Sequence, residues 1–219
     1  MAINKEKRQI ARLAMILEIA SHHAFRGDYL VWYDWEKRIK DGHQTEKEKI
    51  RKLYEDAPPD VIGEEYSITC ELTNNMYAAL IVSIWSEMEH FLKLIVRACI
   101  ARNEQKKRPY RFDQIEKEIE KETGLQLEKC DGYPIVNAVR NLNNAFKHSN
   151  GRYKSKPNRP DTQIENSLLV KWEIEEGQSI DYSKLPVQEI ISACNEFCND
   201  LLGKVETKLT DGLREGSAR

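Results

Sequence analysis

The sequence predicts an all-α protein. Three observations predict it. Glycine and proline are sparse, 10 and 7 in 219 residues, and they cluster rather than scatter. Between the clusters, apolar residues recur at helical spacing. One segment, Met76 to Trp85, is apolar nearly all round, as in the buried central helix of a bundle.

Taken in order, Ile10, Leu13, Ala14 and Leu17 mark one face of a first helix. It is expected to run towards Leu30, Val31 and Trp35 with a break near Gly27-Asp28. A short charged helix is expected around Gln44–Asp56, and the apolar helix over about Ser67–Arg102. Arg102–Gly124 starts as a basic tract and ends as an acidic amphipathic helix containing IEKEIEKE. Tyr133–His148 reads as a helix with Pro134 in its first turn, where its missing N–H costs nothing. In Asn166–Tyr182 the alternation of Leu168, Val170, Trp172 and Ile174, followed by Glu175-Glu-Gly-Gln, predicts a β-hairpin. Pro186 opens a last helix with Ile190, Ile191, Cys194, Phe197, Cys198, Leu201 and Val205 on one stripe. The tail Asp211–Arg219 is expected to fray.

Composition excludes several classes. Lys+Arg 34 against Asp+Glu 36 leaves a net charge of −2, so nucleic-acid binding would need a local patch. The longest charge-free run in the apolar helix, Leu72 to Ser86, is about five residues short of a membrane span. The charged N-terminus, MAINKEKRQIARL, has no apolar run after it, so no secretory leader is expected. Five Cys without framework spacing read as reduced thiols of a cytoplasmic protein. Cys194 and Cys198, on the apolar stripe, read as core thiols rather than metal ligands. No phosphate loop, dinucleotide glycine motif or nucleophile elbow is present, so neither cofactor nor metal is expected.

One helix carries unusual chemistry. On a wheel of about 100° per residue, Ile135, Val139, Leu142 and Phe146 form a core stripe. Arg140, Asn144 and His148 stack on the opposite face, with Asn137 and Asn141 beside them. Asn137, Asn141, Asn143, Asn144 and Asn150 crowd into 14 residues, although Asn disfavours helix interiors. Arg140-Asn-Leu-Asn-Asn-Ala-Phe-Lys-His-Ser-Asn-Gly151 resembles the signature helix of the HEPN superfamily, small all-α domains that include ribonuclease toxins and antiviral-defence effectors. Seven residues separate Arg140 from His148, one more than the family rule allows. The variant with Asn144, Lys147-His148 and Gly151 matches better. Upstream, Ala78–Lys93 resembles the family's apolar helix with a buried acid, here Glu87 or Glu89.

The resemblance implies a HEPN-like antiparallel bundle over the single domain 1–219, with a polar insertion at 102–130 and a basic loop plus hairpin at 151–185. It implies a homodimer with motif helices meeting at a cleft, and a metal-independent endoribonuclease acting as a toxin or defence effector. In such a site His148 moves protons, Arg140 steadies the phosphorane, and Asn144 holds the imidazole or donates to a phosphate oxygen. Asn141, Lys147, Arg152, Lys154, Lys156 and Arg159 would contact RNA, with Tyr153 for stacking. A second basic tract runs from Arg102 to Arg111. The rival reading is a non-catalytic HEPN-like module that pairs with a nucleotidyltransferase-type antitoxin or another defence protein. A helical interaction protein unrelated to nucleic acid is the third.

Overall fold

The computed structural model describes residues 10–19, 28–55, 58–99, 111–154 and 168–217. They are helical almost throughout. In chain order the helices are α1 (10–19), α2 (Asp28–Leu53), α3 (Pro59–Cys99), α4 (Phe112–Thr123), α5 (Tyr133–His148), the single turn α6 (168–171) and α7 (Val187–Ser217). Two 3-10 turns lie at Leu127–Lys129 and Tyr182–Lys184. Among the described residues, no helix is long and apolar enough to cross a membrane.

Several boundaries differ from the expected ones. The short helix at Gln44–Asp56 is the second half of α2, which passes through Gly42 without a break. That costs roughly 1 kcal/mol relative to Ala. α3 begins at Pro59 rather than Ser67, because Pro fits the first helical position and Asp60 adds a favourable charge in the first turn. The Asp211–Arg219 tail continues α7 as helix as far as Ser217.

The expected β-hairpin is absent, and no strand occurs among the described residues. Leu168–Val170 start a helical turn, closed by Trp172 N–H on the Leu168 carbonyl at 2.9 Å. Leu169 and Trp172 are buried, whereas Val170 is 77% exposed. The burial follows i, i+3 spacing and overrides the apparent alternation. What remains of sheet pairing is one antiparallel bridge, Arg152 to Ser179.

The chain divides into two compact units. The first comprises Met1–Tyr29, Ser86–Val136 and Ser192–Arg219; the second, Leu30–Trp85 and Asn137–Ile191. In the first unit the core is Met88, Leu92 and Ile95 of α3, Ile115 and Ile119 of α4, and Cys194, Phe197, Cys198, Leu201 and Val205 of α7. The Cys198 thiol lies 3.7 Å from Met88 sulfur, so these cysteines are core packing as expected. Gly132 turns the chain into α5 at φ 72° with its Cα close against the α7 backbone. Asp131 N–H donates to Asp200 at 2.9 Å and Lys204 to the Lys129 carbonyl at 2.9 Å, clamping this corner to α7.

In the second unit the core is Leu80, Ile81 and Ile84 of α3, Val139 and Leu142 of α5, Tyr182, and Ile190 and Ile191 of α7. α2 contributes Trp32, Ile39 and Ile50, together with a buried carboxylate, Glu36, paired to Lys40 at 2.7 Å.

Candidate nucleic-acid interface

α5 spans the expected residues, but its surroundings differ from the wheel. Residues 136–140, 142, 143 and 145 are all buried, so the helix is enclosed on more than its apolar stripe. Arg140 is 6% exposed, Asn137 3% and Asn143 3%. Arg140, expected on the open face opposite the core stripe, is instead enclosed. The Oδ1 atoms of Asn137 and Asn143 are buried with no hydrogen-bond partner among the described residues. These Asn residues are enclosed by the protein rather than presented on an open face. Asn141 and Asn144 are half-buried.

Only the last turn opens to solvent. Phe146 is 38% exposed, and Lys147 and His148 are exposed. The rise from Arg140 to His148 is about 12 Å at 1.5 Å per residue, and the first side chain is buried where the second is exposed.

The helix then ends on two left-handed residues, Asn150 at φ 51° and Gly151 at φ 73°. Ser149 and Gly151 N–H both donate to the Ala145 carbonyl at 3.0 Å, which satisfies the last turn. The reversal sends Gly151–Tyr153 alongside 177–180: Tyr153 N–H to Gln178, Gly177 N–H to Tyr153 and Ile180 N–H to Gly151, at 3.2, 2.8 and 2.9 Å. Arg152 and Lys154 point into solvent, but Tyr153 is buried and is not available for base stacking as expected. The pairing uses its backbone and draws its ring inward.

Lys147, Arg152 and Lys154 thus give a short basic edge around His148. The turn that leads into the paired residues 177–180 carries exposed Glu173, Glu175 and Glu176, so the edge borders an acidic turn. Lys156, Arg159 and the tract up to Tyr110 lie outside the described residues. Arg111 is exposed and paired to Asp113 at 3.1 Å.

Tyr182 supports this end of α5 from below. Its hydroxyl donates to the Leu142 carbonyl at 3.0 Å, and its ring meets Phe146 edge-on with centroids 5.9 Å apart. Burial pushes its phenol well above the ordinary value. The sequence offered no local signal for this contact, which is 40 residues long-range. Tyr182→Phe should lower stability by about 1 kcal/mol, because the Leu142 carbonyl keeps its helical partner and is not orphaned. A melting temperature lower by roughly 2–4 °C, with unchanged helical circular dichroism, is the expected reading. An unchanged melting temperature would remove the support assigned to this bond.

The acid expected to be buried on α3 is not. Glu87 is exposed, and Glu89 is half-buried in an ion pair with Lys93 at 2.9 Å. His90 is exposed. Among the described residues no group of three or more His, Cys, Asp or Glu is placed to hold a metal. Comparison of the chain with protein-family models, characterised proteins and solved structures finds no match.

Proposed function

We propose that the protein is a HEPN-like, metal-independent endoribonuclease that acts in defence or as a toxin, with His148 as its proton-transfer group. The observation that carries the reading is the exposure of His148 at the end of α5 beside Lys147, with Arg152 and Lys154 on the loop that follows. An imidazole with access to solvent suits removal of a 2′-OH proton and protonation of the departing 5′-oxygen. Among the described residues Lys147, Arg152 and Lys154, rather than buried Arg140, are the exposed cations on this edge. Single-stranded RNA fits better than duplex DNA, since the edge is short and phosphates of a flexible strand can reach it. A homodimer would bring the second His148 needed for separate acid and base roles; it would use the open turn at Phe146–His148 rather than the enclosed Asn137 and Asn143.

The test is incubation of the protein with total RNA in EDTA. Discrete products ending in 2′,3′-cyclic phosphate are expected, the signature of 2′-OH attack. Intact RNA would reject the enzymatic reading.

One observation favours the second reading, a non-catalytic RNA- or partner-binding module: Arg140, the family's phosphate-steadying residue, is enclosed. The ribonuclease reading needs the basic edge to touch the backbone; a partner-binding module does not. Replacing Lys147, Arg152 and Lys154 together with Ala should flatten log K against log salt by roughly 0.7 per lost contact for a single strand. Parallel lines for variant and wild type would show that the edge does not bind RNA.

A further inference from the structure

A second site lies between α2 and α3, in residues the ribonuclease reading does not use. Lys40, His43 and Lys47 share one face of α2, and Cys70, Thr73 and Tyr77 share one face of α3. These faces enclose a cleft of about 610 Å³, with Ser183 at its edge. That volume is in the range of small-molecule sites.

The imidazole in this cleft has a fixed orientation and a fixed tautomer. Thr73 Oγ1 lies 2.8 Å from the Thr69 carbonyl and 2.7 Å from His43 Nδ1. The hydroxyl has one proton, and a carbonyl can only accept, so that proton goes to Thr69. Nδ1 must then carry a hydrogen and donate to Thr73. The neutral ring therefore presents a bare lone pair at Nε2, which has no hydrogen-bond partner among the described residues. Desolvation and then the nearby Lys47 charge lower the affinity of His43 for a second proton.

The cations around it are unevenly used. Lys40 is anchored to buried Glu36 at 2.7 Å and retains two ammonium hydrogens. Lys47 is half-buried with no ion-pair partner among the described residues; Glu46 and Glu48, one residue to either side, do not face it on the helix and pair with Lys49 at 2.6 Å and Gln44 at 3.3 Å. Lys47 thus brings to the cleft a cation that no ion pair among the described residues engages. Asp41, exposed on α2, also borders the cleft and is a further acceptor. Ser183 is held at the edge by its own hydroxyl bond to Asp181 at 2.6 Å and by its N–H to Asn74 at 3.3 Å.

We propose that this cleft binds a small phosphate monoester bearing hydroxyl groups, of the sugar- or polyol-phosphate class. The phosphate lies against Lys47 and Lys40, and a ligand hydroxyl donates to His43 Nε2. Asp41 accepts from a second hydroxyl. A neutral polyol leaves Lys47 without a counter-charge, and inorganic phosphate leaves Nε2 without a donor positioned for it.

Cys70 supplies a reporter at the cleft. It is exposed, while Cys99, Cys130, Cys194 and Cys198 are buried. Burial pushes Cys99 and Cys194 up to about 12 and Cys130 to about 11, so iodoacetamide at mild pH should select Cys70. The experiment follows Cys70 alkylation by peptide mass mapping with glycerol 3-phosphate, inorganic phosphate or glycerol present. Glycerol 3-phosphate should slow alkylation saturably and bind about tenfold more tightly than inorganic phosphate, the factor that about 1.4 kcal/mol supplies. Glycerol should give no protection. Lys47→Gln should abolish protection by both phosphates. His43→Leu should remove only the advantage of the ester. No saturable protection by glycerol 3-phosphate, equal protection by glycerol, or protection unaltered in Lys47→Gln would each overturn the proposal. Lys47 lies outside the core, so Lys47→Gln is expected to keep the circular dichroism of the wild type.

Discussion

His148→Ala should lower RNA cleavage by about 10²–10⁴-fold, the usual loss when a general acid or base is removed. The same substitution should leave thermal unfolding unchanged, because the side chain is exposed and its truncation leaves no cavity. Arg140→Ala is the informative contrast. That side chain is 6% exposed, and its removal opens space inside the second unit. It should lower stability as well as activity, so its activity loss alone assigns no chemistry. The pair separates the two roles: His148→Ala reads catalysis at constant stability, and Arg140→Ala reads packing. Cleavage at the wild-type rate by His148→Ala would withdraw the residue from the mechanism. A variant that loses both cleavage and melting temperature would mean that His148 is structural.

The largest effect on stability is expected from Gly132→Ala. A Cβ at this position would sit 2.2 Å from the Ala193 carbonyl oxygen and 3.0 Å from its carbon. Both atoms are helix backbone, which cannot rotate away as a side chain can. The φ of 72° adds left-handed strain for any residue with a Cβ. Strain of about 1–2 kcal/mol and overpacking of about 1–3 kcal/mol together make a cost on the order of 2–5 kcal/mol. Roughly 5–15 °C of melting temperature should be lost in a chain of this size. Gly124→Ala is the control, since Gly124 has a similar φ of 69° but open space where its Cβ would lie. If both variants lose the same few degrees, the close approach to α7 contributes nothing and only the dihedral matters.

The helices were largely legible because their ends carry local chemistry. Pro134 opens α5 and the left-handed Asn150 and Gly151 end it, so the expected span and the observed one coincide. Pro59 carried the same information for α3, but the apolar pattern that starts later drew the expected boundary to Ser67. The environment of α5 was less legible. Periodicity identifies the most apolar face of a helix, yet a helix enclosed on several sides can bury polar residues too, as at Asn137, Arg140 and Asn143. Their burial depends on elements distant in sequence, such as Tyr182, and no wheel contains them. The false hairpin has a different cause. Leu168, Val170, Trp172 and Ile174 alternate, but Leu169 and Trp172 are one helical turn apart, and seven residues do not decide between periods. The α2–α3 cleft was invisible for a third reason. His43 and Thr73 are ordinary residues on separate helices, and only their 2.7 Å contact gives the imidazole a defined lone pair.

The interleaved segments of the two units set an order of events during synthesis. When Ile191 has been made, every segment of the second unit exists, including the open turn at Lys147-His148 and the α2–α3 cleft. The first unit still lacks Ser192–Arg219, which brings Cys194, Phe197, Cys198, Leu201 and Val205 to its core. Until those residues emerge, the apolar faces of Met88, Leu92, Ile95, Ile115 and Ile119 have no α7 to cover them, the condition in which nascent chains recruit chaperones. A premature stop before Ser192 would consequently leave the sequence of both candidate sites complete while making the chain a substrate for quality control.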